Sequence, residues 1–317
     1  GYHASKSELT SWRNSLQQMS NVFSIAQLGP QGVIVELQLP LTSKRLDVMV
    51  AGQQIRAQAE QARDAAVIIE LKQWSHVDES GLTDHVAVAF AGGTPKDTLH
   101  PSAQVSRYED FLLDMSECFA SGAVSLTSLA FLHNLDRTDA GAAPLYDKKF
   151  EAILQRSPIY AKDQFEDLAN YLKLTVGDGK DASLAQRITG SEYRPSKKLL
   201  DHVAAVISNE KAFVLLDEQV TAFTAVNDAL RRASKTSKRS TFIIKGGPGT
   251  GKSLIALQLL ASAAAQGNTV AHATGSRAFT EGLRKRVGSR AGALMKYFNS
   301  FMKKAEPFDL LVADEAH

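Results

Sequence analysis

The chain has 317 residues, 44% of them apolar and 22% charged, with a formal net charge of +2; this allows two packed domains and excludes long disorder or a partner readable from bulk charge. A single cysteine, Cys118, excludes an intrachain disulfide or a thiolate metal cage and points to a reducing, cytoplasmic setting, an inert core thiol and carboxylates as metal ligands. No apolar run reaches membrane-spanning length, so no membrane partner is expected, and the start at Gly1 without an initiator Met leads us to expect sequence beyond the ends.

In chain order, residues 7–23 have the spacing of an amphipathic helix, and residues 32–40 alternate and stop at Pro40 like a strand. Residues 45–50 form a second short strand, Gly52 is expected to turn the chain, and an Ala/Gln-rich stretch up to Asp64 suits a short helix. Residues 65–72 are apolar until Glu70 and Lys72 at the end, which predicts a buried strand with a charged tip. Residues 102–119 return to helical spacing, placing Gln104 and Tyr108 one turn apart on one face. Helical and loop segments are then expected to about Asn209, with a domain boundary near Glu192.

Asp47 on one strand, and Glu70 and Lys72 two apart on its neighbour, put two acids and a lysine on one side of a sheet. Such carboxylates suit Mg²⁺ or Mn²⁺, and a nearby lysine can position water or stabilise charge on a phosphate. From the residues alone, a Glu-x-Lys at a strand end also fits a solvated tip. The segments Lys44 to Val50 and Val67 to Lys72, followed by Gln104-Val105-Ser106-Arg107-Tyr108, resemble the PD-(D/E)XK nuclease core and the Gln-x-x-x-Tyr helix of its RecB-type members. The resemblance implies phosphodiester hydrolysis, with Asp47, Glu70, Lys72, Gln104 and Tyr108 in the site and Glu36, or Glu8 on the first helix, as a further metal ligand. His100 and His133 lack metal-ligand spacing and read as structural; Trp12 and Trp74 read as core or interface residues.

In the second half a helix is expected over 217–233, a strand over 241–245, a helix over 253–265 and strands over 269–274 and 309–313, an alternation that predicts a parallel sheet covered by helices. Between the first strand and its helix runs Gly246-Gly247-Pro248-Gly249-Thr250-Gly251-Lys252-Ser253, the P-loop spacing. Gly246, Gly249 and Gly251 let backbone N–H groups, with that of Thr250, close around phosphates; Lys252 supplies a point charge and Ser253 a hydroxyl for Mg²⁺. The last strand ends in Asp314 and Glu315, where the first acid would hold Mg²⁺ through water and the second would orient the attacking water.

Asp314-Glu315-Ala316-His317 resembles the second motif of superfamily 1 and 2 helicase-type ATPases, and Leu216-Asp217-Glu218-Gln219 resembles the glutamine motif in which Gln219 would read adenine, favouring ATP. More closely, the P-loop, Ala273-Thr274-Gly275-Ser276-Arg277-Ala278-Phe279, Lys296 to Phe301 and Ala313 to His317 resemble the Schlafen group 3-like ATPases over about the last hundred residues. This resemblance implies a RecA-like domain whose sensor, arginine finger and second lobe would lie beyond His317. The runs Arg231, Arg232, Lys235, Lys238, Arg239 and Arg277, Arg284, Lys285, Arg286, Arg290 read as solvated faces or, beside such an ATPase, as a track for a phosphate backbone.

The expected architecture is therefore α/β: an N-terminal PD-(D/E)XK nuclease-like domain over 1–150, a helical connector over 151–209, and a truncated RecA-like P-loop parallel sheet over 210–317. The expected function is a metal-dependent nuclease coupled to an ATP-driven helicase- or translocase-like motor on DNA or RNA, with phage defence or repair suggested by the domain pairing. The alternatives are an ATP-regulated nucleic-acid sensor that does not cut and a P-loop switch acting as a protein-interaction platform; self-association and a partner protein stay open.

Overall fold

A computed structural model describes residues 6–39, 44–54, 63–89, 93–177, 182–192, 214–236, 239–247, 249–301 and 307–314. The chain is α/β and divides into two compact units, Gly1–Arg194 and Pro195–His317.

The first unit opens with helix α1 (Lys6–Ala26), followed by strands β1 (Gly32–Gln38), β2 (Arg45–Gln54) and β3 (Arg63–Lys72). A small antiparallel sheet of β4 (Asp78–Glu79), β5 (His85–Val88) and β6 (Lys96–Leu99) leads into α2 (Pro101–Met115) and α3 (Glu117–Ala120). Next come β7 (Ser125–Leu132), α4 (Glu151–Arg156), β8 (Ile159–Ala161), α5 (Phe165–Val176) and α6 (Ser183–Thr189). The main sheet has the order β1-β2-β3-β7-β8, antiparallel through β3 and parallel from β3 to β8.

Both faces of this sheet are covered, which is why β3 reads as an unbroken apolar run, Ala65 to Ile69, and is buried throughout it. On one face Val48, Val50, Val67, Ile69, Leu129 and Phe131 pack with Met19 and Val22 of α1 and Leu168, Leu172 and Val176 of α5. Alternation sends Asp47, Glu70 and Lys72 to the other face, where α2 packs on β3 and β7. Pro101 occupies the first turn of α2, where a missing N–H costs nothing, and the His100 ring caps the helix by accepting from Ser102 N.

The second unit contains α7 (Glu218–Thr236), α8 (Lys252–Ala265), β9 (Val270–Thr274), α9 (Arg277–Gly292), β10 (Met295–Tyr297) and β11 (Leu310–Asp314). Its sheet, in the order β10-β9-β11, is parallel, as the alternation of elements requires. Helix α8 is apolar around most of its circumference because it is sandwiched: it packs on β9 and β11 and also on α7. Leu257, Leu260 and Ala263 form its core with Val270, Leu283 and Met295.

Several expectations are corrected. Gly52 does not turn the chain; it lies inside β2, where a Cβ would sit 2.1 Å from the Val176 carbonyl oxygen, so glycine permits a close backbone approach. The expected helix before Asp64 falls on residues 55–62, outside the described residues, apart from 63–64, which belong to β3. Residues 151–192 are not a connector of helices: β8 joins the main sheet and α5 covers one of its faces. The helix-and-loop reading also missed β7, whose Leu/Ala/Ser content carries little strand propensity and which is held by its ladder to β3. Residues 241–245 are not a strand; they are irregular, with Ile243 79% exposed, since no ladder in the described residues engages them. Cys118 is half-buried rather than core, and its N–H donates to Ser191 Oγ at 3.1 Å.

Candidate functional site

In the first unit the register of β2 and β3, Val48 opposite Ile69, brings Asp47 and Glu70 opposite one another at the end of the ladder. Asp47 Oδ2 accepts the Leu71 backbone N–H at 2.7 Å, which fixes this carboxylate to the tip of the neighbouring strand. Lys72 Nζ donates to Glu70 Oε1 at 2.7 Å and to Gln104 Oε1 at 2.8 Å, and Gln104 Nε2 donates to Tyr108 Oη at 2.9 Å. Glu70 is only 4% exposed and Tyr108 2%. Five residues from β2, β3 and α2 thus meet in one cluster, with Lys72 at its centre.

Charge-assisted hydrogen bonds of this length in a mostly buried setting hold side-chain geometry tightly. Trp74, which the sequence suggests only as core or interface, adds to the cluster: Lys72 Nζ lies 5.4 Å from its ring centroid. Its position two residues past Lys72, hence on the same side of an extended chain, was the available signal. Glu36 does not join Asp47 and Glu70 in a group of three that could hold a metal among the described residues. Its backbone is left-handed, with φ of 53°, and its carboxylate lies 3.7 Å from Arg45. The side chain of Glu8 lies outside the described residues. No group of three or more His, Cys, Asp and Glu side chains suited to a metal ion occurs among the described residues.

The two histidines are structural as expected. His100 Nε2 donates to the Leu145 carbonyl at 3.0 Å and the ring stacks on Phe150 at 4.1 Å. Burial first, with Lys149 in support, pulls its pKa down to about 4 against the opposing pull of the Leu145 bond. His133 bonds Ser15 Oγ through Nε2 at 2.9 Å, and burial lowers its pKa as well.

In the second unit the loop with P-loop spacing runs into α8 through Gly251, whose φ of +83° forms the helix N-cap, while Gly249 has φ of +72°. Thr250 Oγ1 donates to the Gly247 carbonyl at 2.9 Å. Lys252 Nζ folds over the same loop, donating to the carbonyls of Gly246 at 2.8 Å and Gly247 at 2.7 Å. A Cβ on Gly246 would lie 2.6 Å from Thr250 Oγ1, so the loop's curl depends on that glycine. Ser253 follows, half-buried, in the first turn of α8. Gln219 reaches the loop from α7: its Nε2 donates to the Thr250 carbonyl at 3.1 Å and its Oε1 accepts from Leu216 N at 3.1 Å. Its amide is therefore committed to backbone groups, the nitrogen to the loop and the oxygen to Leu216 just before its own helix.

Asp314 ends β11 opposite Thr274. Its Oδ2 lies 3.7 Å from Nε2 of His272, a buried residue of β9 that sequence reasoning missed because it stands in an otherwise apolar strand. Glu315 lies outside the described residues. Of the basic runs, Arg277 pairs with Glu281 at 2.8 Å, and the exposed Arg284 contacts the Met295 carbonyl and the Tyr297 ring. Arg231, 58% exposed, lies 3.9 Å from Asp228.

Residues 239–317, about a quarter of the chain, match the family model for the Schlafen group 3, DNA/RNA helicase domain. No curated protein and no solved structure matches the chain. The match makes the C-terminal segment helicase-like and points to a nucleic-acid-related ATPase function. No helix among the described residues is long and apolar enough to cross a membrane.

Proposed function

We propose that the chain couples an ATP-hydrolysing, helicase- or translocase-like motor to a metal-dependent nuclease acting on DNA or RNA. The observation that carries the nuclease half is the unbroken line of contacts Glu70–Lys72–Gln104–Tyr108, with Asp47 tied to the same strand end. That residues from three separate segments converge on one face of a sheet is what supports the nuclease reading.

Two opposed carboxylates fit one hard divalent cation, the remaining ligands coming from water and phosphate, so Asp47 and Glu70 would hold Mg²⁺ or Mn²⁺. Such an ion would supply Lewis-acid polarisation of the scissile phosphate. Lys72 would hold the attacking water or the developing phosphate charge, and Gln104, fixed by Tyr108, would orient Lys72. In the motor, backbone N–H groups of the P-loop and the Lys252 ammonium would bind the ATP phosphates, Ser253 and Asp314 would hold Mg²⁺, and Glu315 would orient water. The helicase-domain match over 239–317 supports this half.

A second reading, an ATP-regulated nucleic-acid sensor that binds without cutting, is favoured by one observation. Lys72 donates to both Glu70 and Gln104, and Asp47 accepts the Leu71 N–H, so the polar groups of the cluster already engage one another. Incubating the full chain with labelled single- and double-stranded DNA and RNA, with Mg²⁺ or Mn²⁺ and with or without ATP, separates the two. Metal-dependent cleavage lost in Lys72→Ala supports the nuclease; tight binding with intact substrate under every condition supports the sensor.

A further inference from the structure

His272 is fully buried, and neither ring nitrogen has a hydrogen-bond partner among the described residues. A buried donor and acceptor left unmade cost free energy, and native proteins retain few of them. What the ring does have is a neighbour: its Nε2 stands 3.7 Å from Asp314 Oδ2.

The ladder explains the pairing. His272 is opposite Val312, and Asp314, two residues further along β11, returns to the same face. On the far side the ring lies against Phe279 of α9, centroids 6.0 Å apart, which limits how far it can swing. At 3.7 Å the contact is too long for a hydrogen bond, which would need roughly 2.9 Å, so the two groups must approach for one to form.

We infer that His272 is a positioning residue for Asp314, donating Nε2–H to its carboxylate when nucleotide and divalent cation engage the site. An imidazole N–H on one carboxylate oxygen leaves the other to face a cation's water shell, the same division of labour by which outer hydrogen bonds orient metal-binding carboxylates. The inference rests on reading Asp314 as the magnesium-associated acid of the P-loop site. It assigns Nε2 as the ring nitrogen that carries the donated proton.

The test compares binding of a fluorescent ATP analogue to the full chain with Mg²⁺ and with chelator. Wild type is expected to bind tighter with Mg²⁺, His272→Leu to lose about 10-fold or more of that gain while keeping its chelator-bound affinity, and His272→Gln, which retains an N–H, to recover part of it. A leucine variant that keeps the whole Mg²⁺ gain overturns the inference and leaves the magnesium reading of Asp314 intact. Absence of any Mg²⁺ gain in wild type overturns that reading, and the inference with it. Should His272→Leu fail to fold, ring ¹⁵N signals of wild-type His272 decide: a shift on adding Mg²⁺ and ATP that is lost in Asp314→Asn supports the contact, and unchanged signals overturn it.

Discussion

The Lys72 ammonium stands 2.7 Å from the carboxylate of Glu70, two residues before it on the same strand, and both side chains are largely withdrawn from water. Removing one member of such a pair strands the other. Lys72→Met should therefore destabilise the first unit by about 3–5 kcal/mol, read as a lower melting temperature, although methionine matches the lysine in size. The double variant Glu70→Gln/Lys72→Met should recover much of that loss, because no charge is then left buried. Cleavage should fall by about 10²-fold or more in both, so stability and activity separate across the cycle.

The P-loop offers a comparison between glycines. Gly251 combines φ of +83° with a position where a Cβ would lie 2.5 Å from Gln219 Nε2, whereas a Cβ on Gly247 would meet nothing within 4 Å. Gly251→Ala should cost about 1–2 kcal/mol of backbone strain and break the Gln219–Thr250 contact. Gly247→Ala should leave the melting temperature unchanged. Titration with a fluorescent ATP analogue should show the larger loss of affinity in Gly251→Ala.

Much of the placement of residues at both candidate sites was legible because the relevant signals are local. The P-loop spacing, the apolar run before Glu70-x-Lys72 and the four-residue interval from Gln104 to Tyr108 each lie within one element, and side-chain periodicity fixes which residues share a face. What could not be read depends on long-range pairing. β7 carries ordinary Leu, Ser and Ala and becomes a strand through its ladder to β3, and Gly52 reads as a turn until Val176 is known to press against it. The exposed 241–245 segment shows the converse: its β-branched residues favour extension, but a strand also requires an edge that pairs with it.

His100 predicts a pH dependence. Its pKa is lowered from 6.5 to about 4 by burial, so the unfolded chain takes up the proton first as pH falls. Stability from this group is therefore fully present above about pH 6.5 and is lost progressively down to about pH 4. The loss amounts to roughly 3 kcal/mol as an order of magnitude. Protonation also converts Nδ1 from acceptor to donor, which removes the cap from Ser102 N. His133, lowered in the same direction, adds to the trend. Thermal melts from pH 7 to 4.5 should show a fall that is shallower in His100→Gln; equal slopes would exclude His100 as the source.

Gln104 and Tyr108 are useful only if α2 is held against the sheet, and a buried polar knot does this. Glu109 Oε2 accepts from Ser128 Oγ of β7 at 2.5 Å, and Glu109 Oε1 accepts from Arg156 at 3.2 Å. Since the single proton of Ser128 goes to Glu109, the Ser157 hydroxyl 2.8 Å away must donate to Ser128. Ser128→Ala removes both bonds at a fully buried position and should cost about 1–3 kcal/mol. Arg156→Ala, by contrast, removes a side chain that is 43% exposed and whose second partner, Asp110, is 42% exposed, and should cost about 1 kcal/mol or less. Because α2 spans from this knot to the Lys72–Gln104 contact, Ser128→Ala should also slow metal-dependent cleavage without touching the cluster itself. A larger effect of Arg156→Ala than of Ser128→Ala on melting temperature would show that the surface pair, rather than the buried serine, anchors the helix.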